Sequence, residues 1–339
     1  ISQPANVTTN TGNTKIAIPN KQASADSCAN FQQLGFNLDH FNGEHCYVYE
    51  EAMVNGQTYR IYYPSWWQGD ETMKVITDNS LVALIDSAAT YSELGNFYDI
   101  NMIISLTTHP KLANVLAIQH PISGSATCPI TFFNTFGGRT IDVFKQIVAH
   151  EAFHCFQDWN TPAGAYDSNK WWMEGSSEYF SNIVYPSTNF EHRFLGIFDE
   201  KSVQSSINKL TYENFLFFQH VGNVYGDSEV IGLLKSIATA GGSIAPLASL
   251  DNMDSTFQDF VVAYMSTGIQ DTGGGVILVD NPTVIKTEII EKELEEKFSI
   301  QPFVSGRYRM NYKEEKRFLQ SPDEDGVGKY STAEFDRRK

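Results

Sequence analysis

The chain has 339 residues, 42% of them apolar, four cysteines and a formal net charge of −16. That charge argues against nucleic acid and anionic membrane surfaces as partners, since both select clusters of Lys and Arg. No apolar run reaches the roughly 20 residues a bilayer-spanning helix needs, and the length suits two or three domains or one large catalytic unit with appendages.

Residues 1–27 are rich in Asn, Thr, Ser and Ala, lack periodicity and are expected to be loosely attached. Ile1 is preceded by no charged or apolar leader, so the chain reads as a mature form after removal of an export signal. Residues 45–63 predict a hairpin: Tyr47 and Tyr49, an Asn55-Gly56 turn, then Tyr59, Ile61 and Tyr63. With the preceding segment it forms an expected N-terminal β unit, residues 1–75. Residues 76–94 predict a helix with Leu81, Leu84, Ile85, Ala88 and Tyr91 on one side. Three strands are expected at residues 101–107, 114–119 and 128–133.

The next element carries the chemistry. Gly137-Gly138 is an expected break, and Asp142 sits near the positive end of the helix that follows. Apolar residues surround that helix, among them Ile141, Phe144, Ile147, Val148, Phe153 and Phe156. Inside it stands His150-Glu151-Ala152-Phe153-His154. Residues four apart share a helix face, so His150 and His154 can address one ion. Glu151 lies beside them, where a carboxylate can accept a proton from a water at the metal. Downstream, Trp171-Trp172-Met173-Glu174-Gly175-Ser176-Ser177-Glu178-Tyr179-Phe180 predicts a second helix, ended by Pro186. Catalytic zinc takes three protein ligands and keeps one position open, and Glu174 supplies the third. Glu178, one turn on, can receive the free N–H of a ligating histidine. Gly175 is expected to let this helix approach the first closely. A solvated face is the alternative for both glutamates, and the flanking aromatic residues disfavour it.

The H-E-x-x-H and W-x-x-E-G-x-x-E-Y segments together resemble the gluzincin zinc metallopeptidases. Nineteen residues separate His154 from Glu174, similar to the aminopeptidase-like branch. Thr211-Tyr212-Glu213-Asn214-Phe215 resembles the Y-E-K-G segment of that branch, although Asn214 and Phe215 replace its lysine and glycine. The resemblance gives Tyr212 the role of donor to the transition-state oxyanion. It implies an α+β, zincin-like catalytic domain over residues 76–270: a small mixed sheet, the zinc helix, then a helical lobe. The strand at 128–133 would border the cleft and pair with extended substrate. The G-x-M-E-N segment of the branch has no counterpart around Ile122 to Pro129, so peptide hydrolysis is implied without aminopeptidase specificity.

Beyond Glu178, helical segments are expected near 189–198, 211–223, 227–239 and 254–267, with breaks at Gly241-Gly242 and Asn252. His220 and Tyr225 are candidate auxiliary oxyanion donors, or else core residues. Residues 270–275, rich in glycine, read as a linker to an accessory, β-rich unit at 271–339. Its strands are expected near 284–290 and 298–312, with a charged, helical stretch at 291–297. Residues 323–334 resemble an EF-hand calcium loop, with Asp323, Asp325 and Glu334 at positions one, three and twelve and Gly328 at six. Val327 occupies the fifth position, where an oxygen ligand belongs; an acidic turn is the alternative.

Four cysteines allow three pairings. Cys28–Cys46 and Cys128–Cys155 are favoured, the second tying a strand to the zinc helix; a buried free thiol at Cys155 is the alternative. The expectation is a secreted, extracellular or periplasmic Zn2+ metallopeptidase acting on peptide or protein substrates, with a Ca2+ loop as a second metal feature. The competing readings are a binding or adhesion protein on a peptidase scaffold, and a hydrolase of small amides or epoxides.

Overall fold

The computed structural model describes residues 36, 47–105, 109, 111, 115–120, 122, 127–133, 139–162, 170–242, 252–277, 282–284, 286–290, 303–312 and 333–334. The architecture is mixed α+β. Five strands form one sheet in the order β1-β2-β3-β5-β4: β1 (Tyr47–Val54), β2 (Gln57–Pro64), β3 (Ile100–Ile104), β4 (Ala117–Gln119) and β5 (Cys128–Phe132). The β1–β2 hairpin turns at Asn55 and Gly56, both in the left-handed region at φ 53° and 81°, as such a tight turn requires. β2 then runs parallel to β3, β3 parallel to β5, and β4 antiparallel to β5.

The hairpin is therefore part of this sheet and not a separate unit packed against it. The reason is visible in β2, where Ile61, Tyr62 and Tyr63 are all buried. A strand covered on both faces belongs inside a sheet. Tyr59, Ile61 and Tyr63 join the main core, while Tyr62 meets Phe36, Tyr47 and Ile103 on the opposite face. A second correction concerns the edge. β5 lies between β3 and β4, so β4 is the strand at the sheet's end.

Helix α1 (Glu71–Tyr91) opens on Asp70, whose Oδ1 accepts from the backbone of Thr72 and Met73, a capping arrangement. Its Leu81, Leu84, Ile85, Ala88 and Tyr91 are buried. Helix α2 (Ile141–Asn160) begins at Thr140, whose side chain accepts from Val143 N, with Asp142 in the first turn. Every residue of α2 from Gln146 to Gln157 is buried. The disulfide Cys128–Cys155, Cα–Cα 5.9 Å, staples α2 to β5 immediately after His154. Helix α3 (Lys170–Val184) crosses α2, and Phe153 stacks on Phe180 at 4.3 Å. Tyr91 closes the same cluster, its ring edge-on to Phe153 and its hydroxyl donating to Ala149 O.

The remaining helices form a lobe: a 3-10 turn at Phe190–Phe194, α4 (Leu195–Lys201), a 3-10 turn at Tyr212–Asn214, α5 (Phe215–Tyr225), α6 (Asp227–Thr239) and α7 (Met253–Val262). The expected breaks hold: Gly241 and Gly242 follow α6, and left-handed Asn252 precedes α7. Residues 270–275 are not an extended linker. They turn between β6 (Ile269–Gln270) and β7 (Val276–Ile277), with Asp271 buried. Beyond them, Arg307 is fully buried and donates to Asp199, and Phe303 packs on Phe257. This stretch thus joins the helical lobe. β8 (Lys286–Ile290), β9 (Tyr308–Tyr312) and β10 (Ala333–Glu334) form a parallel three-stranded sheet.

Several expectations lie outside the described residues: residues 1–27, the Gly137-Gly138 break, the Cys28–Cys46 pair, the helix at 291–297, and Asp323, Asp325 and Gly328. Glu334 is described, and it sits in β10.

Candidate metal centre

Helix α2 presents His150 and His154 one turn apart, and α3 brings Glu174 across from them. The three ligand atoms converge. His150 Nε2 and His154 Nε2 are 3.1 Å apart, and each lies 3.3 Å from Glu174 Oε2. An ion about 2 Å from three tetrahedral donors leaves those donors about 3.3 Å from one another. The donor set therefore fits zinc in size, number and chemistry. Glu151 also lies within 4.8 Å of both histidines, but the measured triangle is closed by Glu174.

The tautomer of His154 is fixed from outside the triangle. Gln157 Nε2 donates to Met173 O and Ser176 Oγ, so its Oε1 faces His154 Nδ1 at 2.9 Å and must accept from it. Ser177 Oγ, itself donating to Met173 O, lies 3.1 Å from the same nitrogen. A proton held on Nδ1 leaves Nε2 free for an ion, and such outer contacts tune metal affinity. Gln157 and Ser177 were missed in the sequence. The available signal was polar residues inside two otherwise apolar helices.

Glu178 takes its expected place only loosely. Its Oε1 is 3.6 Å from His150 Nδ1, longer than a hydrogen bond. Arg193 Nη2 donates to the same oxygen at 2.8 Å. The guanidinium is clamped between Phe190 and Phe194, 3.5 and 4.1 Å from their ring centres. Arg193 is a second residue the sequence did not betray.

The charges in the centre follow from its burial. Glu151 is 7% exposed; burial raises its pKa, and the two imidazoles pull it back only in part. The backbone N–H of Gln119, in edge strand β4, bonds its carboxylate. Burial pulls His154 down, but Glu174 and then Glu151 and Gln157 outweigh it and hold the imidazole up at about 9. Burial likewise opposes ionisation of Glu174, yet His154 and His150 draw its carboxyl far below the ordinary range.

Tyr212 stands over the centre, its ring stacked on His150 at 6.0 Å and on Phe194 at 5.1 Å. Burial, followed by the carboxylates of Glu174, Glu151 and Glu178, raises its phenol and keeps it protonated. Its position depends on a close contact that corrects the role expected for Gly175. A Cβ there would lie 2.7 Å from Asn214 Cβ and 3.2 Å from the Phe218 ring. Gly175 thus admits the 212–214 turn and α5 against α3, not α2. Asn214 is held there by donating to Trp171 O and Ile207 O.

His220 and Tyr225 are not gathered into this centre. His220 packs on Phe260 and Tyr225 Oη meets Thr256 Oγ1, both contacts to α7. No protein-family model matches the chain, and no curated protein matches it. Among the described residues no helix is long and apolar enough to cross a membrane.

Proposed function

We propose that the chain is an exported zinc metallopeptidase of gluzincin type, with a zincin-like core formed by the sheet, α2 and the helical lobe. The observation that carries this is the triangle of His150 Nε2, His154 Nε2 and Glu174 Oε2, closed to 3.1–3.3 Å with Glu151 buried beside it. Bound by those residues, zinc would polarise a scissile carbonyl and lower the pKa of a water towards about 7. Glu151 accepts the proton of the attacking water and delivers it to the leaving amine; its raised pKa suits both halves of that duty. Tyr212, kept neutral by burial and then by its carboxylate neighbours, donates to the oxyanion. Strand β4, last in the sheet order among the described residues, would offer its outer side to the main chain of an extended peptide next to the Gln119 N–H that bonds Glu151. The Cys128–Cys155 disulfide fits an oxidising, extracellular or periplasmic setting.

The test is metal content beside hydrolysis of a casein-like protein, on wild type and Glu151→Gln prepared identically. The proposal expects equal zinc in both, with chelator-sensitive cleavage in wild type reduced at least about a thousandfold in the variant. Equal cleavage by the two proteins would sink the mechanism. Zinc in both without cleavage by either would favour a binding role on this scaffold.

A further inference from the structure

A second group of side chains converges away from the triangle and takes no part in the proposed hydrolysis. The 3-10 turn at Phe190–Phe194 supplies Glu191 and His192, and the β6–β7 turn supplies Asp271. One ligand atom from each lies within 4.8 Å of the other two. His192 Nε2 is 3.4 Å from Asp271 Oδ1 and 3.7 Å from Glu191 Oε1. His192 Nε2 and Asp271 Oδ1 face each other as an ion pair, and among the described residues neither has a further hydrogen-bond partner. Both carboxylates are deeply buried, Glu191 at 1% and Asp271 at 5% exposure.

Each carboxylate has one oxygen fixed by the protein and the other turned to the imidazole. Gln146 Nε2 donates to Glu191 Oε2 at 2.6 Å, and Gly273 N donates to Asp271 Oδ2 at 3.1 Å. This is how protein groups orient metal ligands from behind. Two carboxylates against one imidazole leave a net negative charge whenever both are ionised; burial pushes Glu191 up to about 7, so a bound cation takes the place of that carboxyl's proton. Arg193, whose charge also acts on Glu191, is already hydrogen-bonded to Glu178. The turn is built to hold Asp271 in place. A Cβ on Gly273 would lie 2.3 Å from Pro186 O and 3.0 Å from Asp271 Oδ2, and Thr272 Oγ1 donates to Gln219.

We propose that Glu191, His192 and Asp271 form a second metal site, for a divalent transition ion of the zinc or manganese class. The imidazole selects these ions over calcium, and the two carboxylates match three-ligand coordination with a position left for water. The His192 side chain is about 30% exposed, while its Nε2 is itself buried against the two carboxylates. The ion locks the Phe190–Phe194 turn to the β6–β7 turn. That same turn carries Arg193, which holds Glu178, and Phe194, which backs Tyr212. This proposal goes beyond the peptidase reading and stands without it.

The test counts zinc. The full chain is stripped with chelator, reloaded with excess Zn2+, desalted and measured by atomic emission. It is done on wild type, Asp271→Asn, His192→Gln and the pair His150→Ala/His154→Ala. The expected result is two equivalents in wild type and one in each of the other three. The partly exposed His192 tolerates change; the ion retained at the first centre shows that Asp271→Asn and His192→Gln have folded, and the ion retained at the second site shows it for the His150/His154 variant. Zinc in Asp271→Asn and His192→Gln equal to wild type overturns the proposal. So does a single wild-type equivalent lost only from the His150/His154 variant. A single equivalent lost from Asp271→Asn and kept in the His150/His154 variant supports this site while refuting the first.

Discussion

Gln157→Leu isolates the contact that sets the His154 tautomer. Leucine fills nearly the same volume, so little cavity opens. Met173 O loses one donor but keeps Ser177 Oγ at 2.9 Å. The group left exposed to loss is His154 Nδ1–H, whose 2.9 Å bond to Gln157 Oε1 disappears. Ser177 Oγ at 3.1 Å cushions that loss. One hydrogen bond to an imidazole that can carry charge is worth about 1.5–3 kcal/mol. Outer contacts of this kind change metal affinity by about 10- to 100-fold, or about 1.4–2.7 kcal/mol. The single variant should lose about tenfold in zinc affinity, and Gln157→Leu with Ser177→Ala about a hundredfold. The assay is competition against a chromophoric chelator, paired with thermal denaturation of stripped and loaded protein. Loaded protein should be destabilised more than stripped protein. If affinity in the double variant stays within about twofold of wild type while both forms lose stability equally, Gln157 merely ties α2 to α3 and the reasoning fails.

Three further outcomes follow from the same geometry. In the metal-free protein His154 is held protonated up to about pH 9, so zinc must displace that proton. Its apparent affinity should rise about tenfold per pH unit between pH 6.5 and 9 and then level off, as read from proton release in buffers of different ionisation enthalpy. Because this pKa is raised on folding, its stabilising effect is full below the unfolded value of about 6.5 and fades as pH climbs through about 9; melting of stripped protein across that window checks the sign. Tyr212→Phe should keep zinc and lower kcat by about a hundred- to a thousandfold, a prediction that unchanged kcat with raised KM would refute. Reducing Cys128–Cys155, 27 residues apart in sequence, should cost about 3–4 kcal/mol through the freed loop, measured by denaturant unfolding with and without reductant.

The convergence of these side chains was legible because helical geometry turns spacing into direction. Four residues on an α-helix is one face, and His150, Glu151 and His154 needed nothing more. Glu174 and the Cys128–Cys155 pair required only that α3 and β5 pack beside α2. Readings based on composition fared worse. The glycines at 273–275 suggested a linker, yet the missing side chain of Gly273 lets Pro186 O approach the turn that holds buried Asp271. The N-terminal hairpin looked separate because its turn was clear and the parallel partner of β2 lies some 40 residues on, at Ile100. Local pattern does not show which distant strand completes a sheet.

What remained hidden is the support behind the ligands, and its asymmetry bears on how the centre works. His154 is held by Gln157 and Ser177 from inside the α2–α3 contact, where Phe153 and Phe180 stack at 4.3 Å. Its environment is as rigid as the packed core around it. Among the described residues His150 Nδ1 has no such partner. It faces Glu178 at 3.6 Å, and Glu178 is committed to Arg193. Arg193 in turn rides on a five-residue 3-10 turn, between Phe190 and the Phe194 that also stacks on Tyr212. His154 is therefore anchored in the core, while His150 and Tyr212 both neighbour one short 3-10 turn. The sequence cannot announce such an arrangement, because it depends on residues from four separate segments meeting within a few ångströms.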